Sequence, residues 1–521
     1  MKYSRCFVLL PVILFIANTD CKKSNNGNSN PNDSSTTAIQ TYRPYYHFSP
    51  ASTWTNDPNG LVYYQGLYHL FFQENPSGIV WGNMSWGHAT STDLLSWKQQ
   101  PVAIPEYTDS NNNTINVFSG TAVVDSANSS GFGTGANMMP LIAIYTSNGP
   151  LQNQSLAYSP DGSSFTRYAH NPILDIQSTN FRDPKVFWYA PTNQWIMIVS
   201  MPIEEKVRFY SSANLVNWQY LSDFGAIGNT NQVWECPDIF PLQVQGTGQT
   251  KWVVTVSGGG VQTGFGGMQY FVGNFDGVHF VADALNYPLY LDYGKDFYAG
   301  ITYNDLPAAD GRRIMIGWAN NWAYAGVIPT LGFRGMMSIP RNLQLLATNS
   351  GSYILTQLPV AETDSYKGTL LYQQDSLSLN SLSNPANGVQ GDALNIEFTM
   401  ERNGAAKSGI NVFKNGSQET SIYYNSSDNT IKLDRTNAGN SFFSSVFSSI
   451  ESAPAAAGSS DLQFRILIDK SIVEVFVNNG EQVITDQVFP LSANGGIEFF
   501  SQSGSTTFKN INVWKMNPSM D

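Results

Sequence analysis

The chain has 521 residues, more than one ordinary domain holds, and 42% of them are hydrophobic, enough for two sizeable cores. Its formal charge of −12 and isoelectric point near 4.9 exclude the basic surface that nucleic acid requires. The three cysteines are Cys6, Cys21 and Cys236, so the body of the chain has a single thiol and no internal disulfide.

The N-terminus reads as an export signal. Lys2 and Arg5 are followed by an apolar run over residues 7–17, of signal-peptide length and too short to span a bilayer as a mature helix. Cys21, Lys22 and Lys23 come next, then a Ser/Asn/Gly-rich tail. The pattern resembles a bacterial lipoprotein, with a signal peptide over 1–20, a lipid on Cys21 and a flexible tether over 21–40. Asn18-Thr19-Asp20 departs from the usual Leu-small-small sequence before the cysteine, and plain secretion is the alternative. The expected location is the cell envelope of a bacterium, at the outer membrane surface or in the periplasm.

From 41 to about 360 the sequence reads as strand and turn, with no long stretch of helical period. One unit recurs: a short opening strand, a turn, and a second, strongly apolar strand. The second strands are Leu67-Tyr68-His69-Leu70-Phe71-Phe72, Leu141-Ile142-Ala143-Ile144-Tyr145, Gln194-Trp195-Ile196-Met197-Ile198-Val199, Lys251-Trp252-Val253-Val254-Thr255-Val256 and Arg313-Ile314-Met315-Ile316-Gly317-Trp318. Their spacing of roughly 55–75 residues is near the kelch-type blade period. A second echo lies between them: Ser91-Thr92-Asp93-Leu94-Leu95-Ser96-Trp97 parallels Ser212-Ala213-Asn214-Leu215-Val216-Asn217-Trp218, and the segments beginning Asp161-Gly162 and Asp276-Gly277 are looser relatives. These are expected to join the outer strands of each blade. The implied fold is all-β, a five-bladed β-propeller over 41–360.

Three acidic motifs stand at the heads of opening strands. They are Trp54-Thr55-Asn56-Asp57-Pro58-Asn59-Gly60, Phe181-Arg182-Asp183-Pro184-Lys185 and Trp234-Glu235-Cys236-Pro237-Asp238. Singly, an Asp-Pro pair is ordinary turn chemistry. In a propeller, however, the innermost strands line one channel, so Asp57, Ser119, Asp183, Glu235 and Phe297 are expected to converge at one end of its axis.

Beyond a linker at 361–370 the composition shifts toward Ser, Asn and Gly. Strands are expected over 394–400, 409–413, 431–434, 462–468, 472–477, 496–500 and 508–514, punctuated by turns such as Asn478-Asn479-Gly480. This is the pattern of a C-terminal β-sandwich over 371–517.

Paired carboxylates across a bond are the equipment of glycoside hydrolysis; a retaining enzyme sets a nucleophile and a protonated acid about 5 Å apart. Asp57 suits the nucleophile, with Asn56, Asn59 and backbone amides as donors that keep it ionised. Glu235 suits the acid, with Trp234 beside it and Asp238 close in sequence. Asp183 follows Arg182, which is expected to keep it ionised for holding sugar hydroxyls. Cys236 reads as a small packing residue.

The chain resembles glycoside hydrolase family 32, the invertase, inulinase and levanase family. The resemblance rests on residues 54–60, Phe71-Phe72-Gln73, Trp81-Gly82-Asn83-Met84-Ser85-Trp86-Gly87-His88, Phe118-Ser119-Gly120, residues 181–185 and 234–237, Asp296-Phe297-Tyr298-Ala299, Gly317-Trp318-Ala319-Asn320 and Val473-Glu474-Val475-Phe476. It implies a propeller followed by a sandwich, and hydrolysis of β-fructofuranosidic bonds with retention. Asp57 would be the nucleophile, Glu235 the acid and base, and Asp183 the transition-state stabiliser. Asn56, Gln73, Trp81, Phe118, Ser119, Arg182 and Trp318 would line the terminal fructose pocket. Each has a structural alternative: Trp81 and Trp318 as core, Gln73 as a satisfied strand end, Ser119 as a turn hydroxyl. No metal or organic cofactor is implied, and the five histidines lack ligand spacing, the closest pair, His69 and His88, being 19 apart. The expected partner is a fructan, levan or inulin, or sucrose. The segment at 264–277 and Asp292-Tyr293-Gly294-Lys295-Asp296-Phe297 look like the exo-acting branch. Endo-levanase, fructosyltransferase and non-catalytic fructan-binding protein are the other readings.

Overall fold

The computed structural model describes residues 42–519 apart from 136–137, 260–266, 349–350, 403 and 456–459. Residues 1–40, read above as signal peptide and tether and including Cys21, and the start of the 264–277 segment lie outside the described residues. Five sheets are followed by two more. Helical elements among the described residues are short 3-10 turns.

The five sheets share one pattern, with an innermost strand at the head. These strands are Thr53–Tyr64, Thr114–Val124, Arg182–Tyr189, Val233–Gln243 and Tyr298–Thr302, of blades I to V. Each pairs with its apolar second strand: Leu67–Asn75, Leu141–Asn148, Gln194–Met201, Thr250–Gly259 and Ile314–Trp318. These second strands are apolar on both faces because each blade is packed between two others. In blade III, Trp195, Met197 and Val199 join Ile142 and Ile144 of blade II. The alternating Ile196 and Ile198 join Val254 and Phe271 of blade IV. Blade V meets blade I through Asn304, which donates to Leu61 O at 2.9 Å and accepts from Tyr63 N at 3.1 Å. Phe333–Arg334 also pairs in parallel with Thr53 and Trp54. The ring is thereby closed, and the sheets form a β-propeller.

The turn echo has a local cause. In blade I, Ser91 Oγ accepts from the amides of Asp93 and Leu94, and Asp93 Oδ1 from those of Leu95 and Ser96. Blade III repeats this with Ser212 and Asn214, blade II with Ser159 and Asp161. The fourth residue of the motif takes a left-handed φ, 69° at Leu94 and 63° at Leu215. Side-chain caps of this kind satisfy turn amides that no strand can reach.

The two remaining sheets have six strands each and enclose a separate apolar core that includes Ile396, Ile410, Ile466, Val475, Phe499 and Phe508. The residues read as a linker, 361–370, form the 3-10 turn Ala361–Tyr366 and the start of the strand Lys367–Asn380. That strand and Ser383–Gln390, Gln418–Asn425, Ile450–Pro454 and Gln482–Gln487 add to the seven expected from sequence.

The sandwich is joined to the propeller by buried polar groups. Arg341 donates to Asp292 Oδ2 at 2.9 Å and to Thr485 Oγ1 at 2.6 Å. Asp469 accepts the backbone amides of Tyr45, Tyr46 and His47, and Glu474 accepts that of Ile339. Burial alone would lower the pKa of His47, but hydrogen bonds and charge from Asp469 and Glu474 outweigh it and push it up to about 9. A histidine whose pKa rises on folding stabilises fully below its unfolded pKa of about 6.5 and loses that contribution as pH rises through its folded value. The melting temperature therefore falls several degrees more between about pH 7 and about pH 10 in wild type than in His47→Gln, read by calorimetry; parallel curves would remove His47 from the linkage.

Candidate functional site

Each innermost strand carries a register shift at its head. The shifts fall between Thr55 and Pro58, Val117 and Gly120, Arg182 and Lys185, Glu235 and Asp238, and Tyr298 and Ile301. A bulge of this kind re-aims a side chain and tolerates a proline, which has no amide to lose. Asp183, Cys236 and Ala299 adopt left-handed φ values of 65°, 47° and 53° there. In blade II the bulge ends on Gly120, required there by close approach of the next strand, because a Cβ would lie 2.1 Å from Ile144 O. Around the bulges of blades I to IV opens a common cavity of about 390 Å³ at one end of the ring, lined by Asn56, Asp57, Gln73, Trp81, Phe118, Ser119, Gln152, Arg182, Asp183, Glu235 and Trp322.

Asp57 is buried. Its Oδ2 accepts from Ser119 Oγ at 2.6 Å, its Oδ1 from Asn56 Nδ2 at 3.1 Å. Asn56 is fixed in turn by Trp54 Nε1, which donates to its Oδ1 at 2.8 Å. Burial raises the Asp57 pKa, the Ser119 and Asn56 donors oppose this, and the Glu235 charge adds to it, for a net rise. Asn59 does not donate to Asp57. In the amide orientation that satisfies its neighbours it donates to Ser119 Oγ at 3.2 Å and accepts from Gln73 Nε2 at 2.9 Å.

Glu235 is held from two sides. Arg182 donates to its Oε1, from Nε at 2.9 Å and Nη2 at 2.8 Å, and Tyr298 donates its hydroxyl to Oε2. The two neighbours expected from sequence lie elsewhere. Trp234 is buried and donates to Asn229 O at 2.8 Å. Asp238 sits past the bulge, where it accepts Thr302 N at 2.6 Å and lies 3.6 Å from Lys185 Nζ.

Arg182 pairs with Glu235 across blades, not with Asp183 beside it. Asp183 accepts the Cys236 amide at 3.1 Å and its own amide donates to Thr146 Oγ1 at 3.0 Å. Burial, then the Glu235 charge, push its pKa up to about 7 despite Arg182, contrary to the expectation that the arginine keeps it ionised. The Cys236 thiol lies 3.5 Å from Asp57 Oδ2 and 3.6 Å from Asp183 Oδ2. Burial and three carboxylates hold its pKa well above the usual thiol value, so it meets these carboxylates as a neutral group.

Most of the expected pocket residues line the cavity; Trp318 does not. It is fully buried beneath, its ring 4.8 Å from Trp322 and 6.1 Å from Trp54. Trp322 takes the wall, stacked 6.0 Å from Trp54. Phe297 also misses the site, lying under the Arg341 guanidinium at 4.0 Å; its neighbour Tyr298 takes the place. Gln152, which accepts from Phe181 N at 3.0 Å and Arg182 Nη1 at 3.3 Å, was not foreseen. Its position at the start of blade II's third strand, facing the Arg182 motif, was the available signal. His69 and His88, distant in sequence, meet at 3.0 Å, but burial lowers them to about 4 and about 3, so they form a neutral packing pair outside the cavity.

Residues 47–359 match the model of the glycosyl hydrolases family 32 N-terminal domain, and 362–515 that of the family 32 C-terminal region. The chain belongs to glycoside hydrolase family 32. It is 42% identical to a levanase of Bacillus subtilis over 92% of its own length and 72% of the relative's. It is 38% identical to an extracellular exo-inulinase of Aspergillus ficuum, covering 91% and 94%. The crystal structure of an exo-inulinase from Aspergillus awamori superposes with a TM-score of 0.86 at 35% identity, covering 92% of this chain and 99% of that one. A propeller followed by a β-sandwich is thus the fold of the family. Among the described residues no helix is long and apolar enough to cross a membrane.

Between about pH 4 and about pH 7 the unfolded chain releases the Asp183 proton while the native cavity retains it, so this group costs stability as pH rises. Asp183→Asn is expected to melt ~2–6 °C above wild type near pH 8, with the gain vanishing toward pH 4. A gain independent of pH would place the strain elsewhere.

Proposed function

We propose that this family 32 protein is a retaining β-fructosidase that releases terminal fructose from levan, inulin or sucrose. The observation that carries the reading is the meeting of Asp57, Asp183 and Glu235, from three blades, in one cavity. Asp57, oriented by Ser119 and Asn56, attacks the anomeric carbon of the fructosyl ring and forms a covalent fructosyl-enzyme. Glu235 protonates the leaving oxygen and then takes a proton from the water that releases fructose. Arg182 and Tyr298 fix the carboxyl for both transfers. Asp183 binds ring hydroxyls, and the carboxylates together stabilise the oxocarbenium-like transition state. Asn56, Gln73, Ser119 and Gln152 offer hydrogen bonds to the sugar, and Trp81, Phe118 and Trp322 its apolar walls.

Exo action is supported by the floor of the cavity: Pro58, Asn59, Gly120, Cys236 and Pro237 are buried beneath it, which leaves a pit suited to a chain end. The relatives named exo-inulinase favour the same reading. Residues 2–23 support export, with Cys21 as the site of a lipid anchor.

Asp57→Asn is expected to lower kcat by at least about 10⁴-fold with the fold intact; near wild-type hydrolysis of sucrose would remove it as nucleophile. Glu235→Ala should lose far more activity on fructans than on aryl fructosides, whose leaving group needs no proton, whereas equal losses would argue against an acid role. Products from levan resolved by size should be fructose alone from the first time point; a ladder of oligosaccharides would indicate endo action.

A further inference from the structure

The sandwich grips the segment below the catalytic cavity with its strand at 485–487, which takes the amides of Lys295 and Asp296 and gives that of Gln487 to Asp296 Oδ2, and with a buried arginine. Arg435 Nη1 donates to Asp296 Oδ2 at 2.7 Å and to Gln487 O at 2.9 Å, and Nη2 donates to the Tyr324 hydroxyl at 2.9 Å. Tyr324 closes the ring by donating to Asp296 Oδ1 at 2.6 Å. All three side chains are buried, and Arg435 also stacks 4.2 Å over the Phe447 ring. Two residues beyond Asp296 stands Tyr298, which donates to Glu235. Two residues before Tyr324 stands Trp322, the cavity wall. The two segments are further tied by Asn321 Nδ2, which donates to Lys295 O at 2.8 Å.

We propose that Arg435 is a positioning residue for the fructosidase site, fixing through Asp296 and Tyr324 the two elements that orient Glu235 and wall the sugar pocket. The inference rests on the β-fructosidase reading. The guanidinium's planar fork sets the separation of Asp296 and Tyr324 in a way a point charge cannot. In this arrangement the sandwich is part of the catalytic apparatus in addition to being a brace.

Tyr324→Phe removes the hydroxyl and keeps the ring; Arg435→Lys keeps the charge and loses the fork. His47→Gln is the control, because it loosens the same domain junction and touches no cavity residue. In sucrose kinetics across pH, both test variants are expected to raise KM about 3–10-fold, the scale of a small misplacement of a pocket wall. Both should also move the alkaline limb of kcat/KM, which reports the proton donor, to higher pH, as follows when a carboxylate loses a donor. His47→Gln should lower the melting temperature and move neither quantity. Should Arg435→Lys not fold, Tyr324→Phe decides. Hydrogen exchange on the same proteins gives a readout independent of turnover: Tyr324→Phe should speed exchange at 296–302 and 320–328 and His47→Gln should not. Folded test variants with wild-type KM, pH profile and exchange would overturn the proposal. A wild type inactive on every fructoside would instead overturn the functional reading, with exchange still deciding whether the lever exists.

Discussion

The structure depends on a bulge repeated five times around one axis. A regular strand alternates its side chains between its two faces, and in this ring both faces are packed against neighbouring blades. A carboxylate at the head of such a strand would point into that packing. The bulge turns it into the channel instead. The cost is a set of amides without ladder partners and several residues held at left-handed φ, which for a residue with a Cβ costs about 1–2 kcal/mol each. Hydroxyls on other strands meet the first cost: Thr146 accepts the Asp183 amide and Ser257 the Ala299 amide. Asp183 itself accepts the Cys236 amide. The same bonds that repair the backbone therefore position the functional groups.

Convergence of this kind requires the ring to be closed at one radius, and the buried polar junction with the sandwich contributes to that. Arg341 with Asp292 and Thr485, Arg435 with Asp296 and Tyr324, and His47 with Asp469 are each paired and hydrogen-bonded. Buried pairs of this sort add little net stability over apolar packing, but a misplaced partner leaves a desolvated charge, so they admit one docking geometry. The sequence segments Asp292-Tyr293-Gly294-Lys295-Asp296 and Val473-Glu474-Val475-Phe476 belong to this junction. Their resemblance to family members reflects the domain contact before it reflects any contact with a sugar.

How far the chain was legible follows from the same physics. The second strands declared themselves because burial on both faces demands unbroken apolar runs, and the outer turns because their caps need Ser, Asp or Asn at fixed offsets. The acidic motifs stood out through the prolines that bulges admit. Which residue beside a bulge faces the channel is not legible, since the extra residue resets the alternation; strand alternation points to Phe297, whereas Tyr298 reaches Glu235. Of the two readings of Trp318, pocket wall and core, the structure has the core, and Trp322, which stands on a loop and has no strand pattern to mark it, carries the wall. Arg182 was assigned to the carboxylate next to it in sequence, whereas its partner Glu235 lies on another blade. In the sandwich, Lys367–Asn380 escaped notice because one face is largely exposed and its alternation is diluted by Ser and Gln.

The charge of the cavity is its most consequential property. Three carboxylates face one guanidinium among the lining residues, and the rise of Asp183 to about 7 comes first from burial and then from the Glu235 charge. In water such a cluster would be screened; in a buried site it is not. A neutral sugar does not relieve it. The positive charge that develops at the anomeric carbon as the glycosidic bond breaks does, and it appears only in the transition state. The free energy cost of burying these carboxylates close together is thus relieved at the step that needs it, which is the condition for an interaction to raise kcat and not merely lower KM. Arg182 moderates this field, donating twice to Glu235 and lowering the pKa of Asp183 against the push of burial and the Glu235 charge.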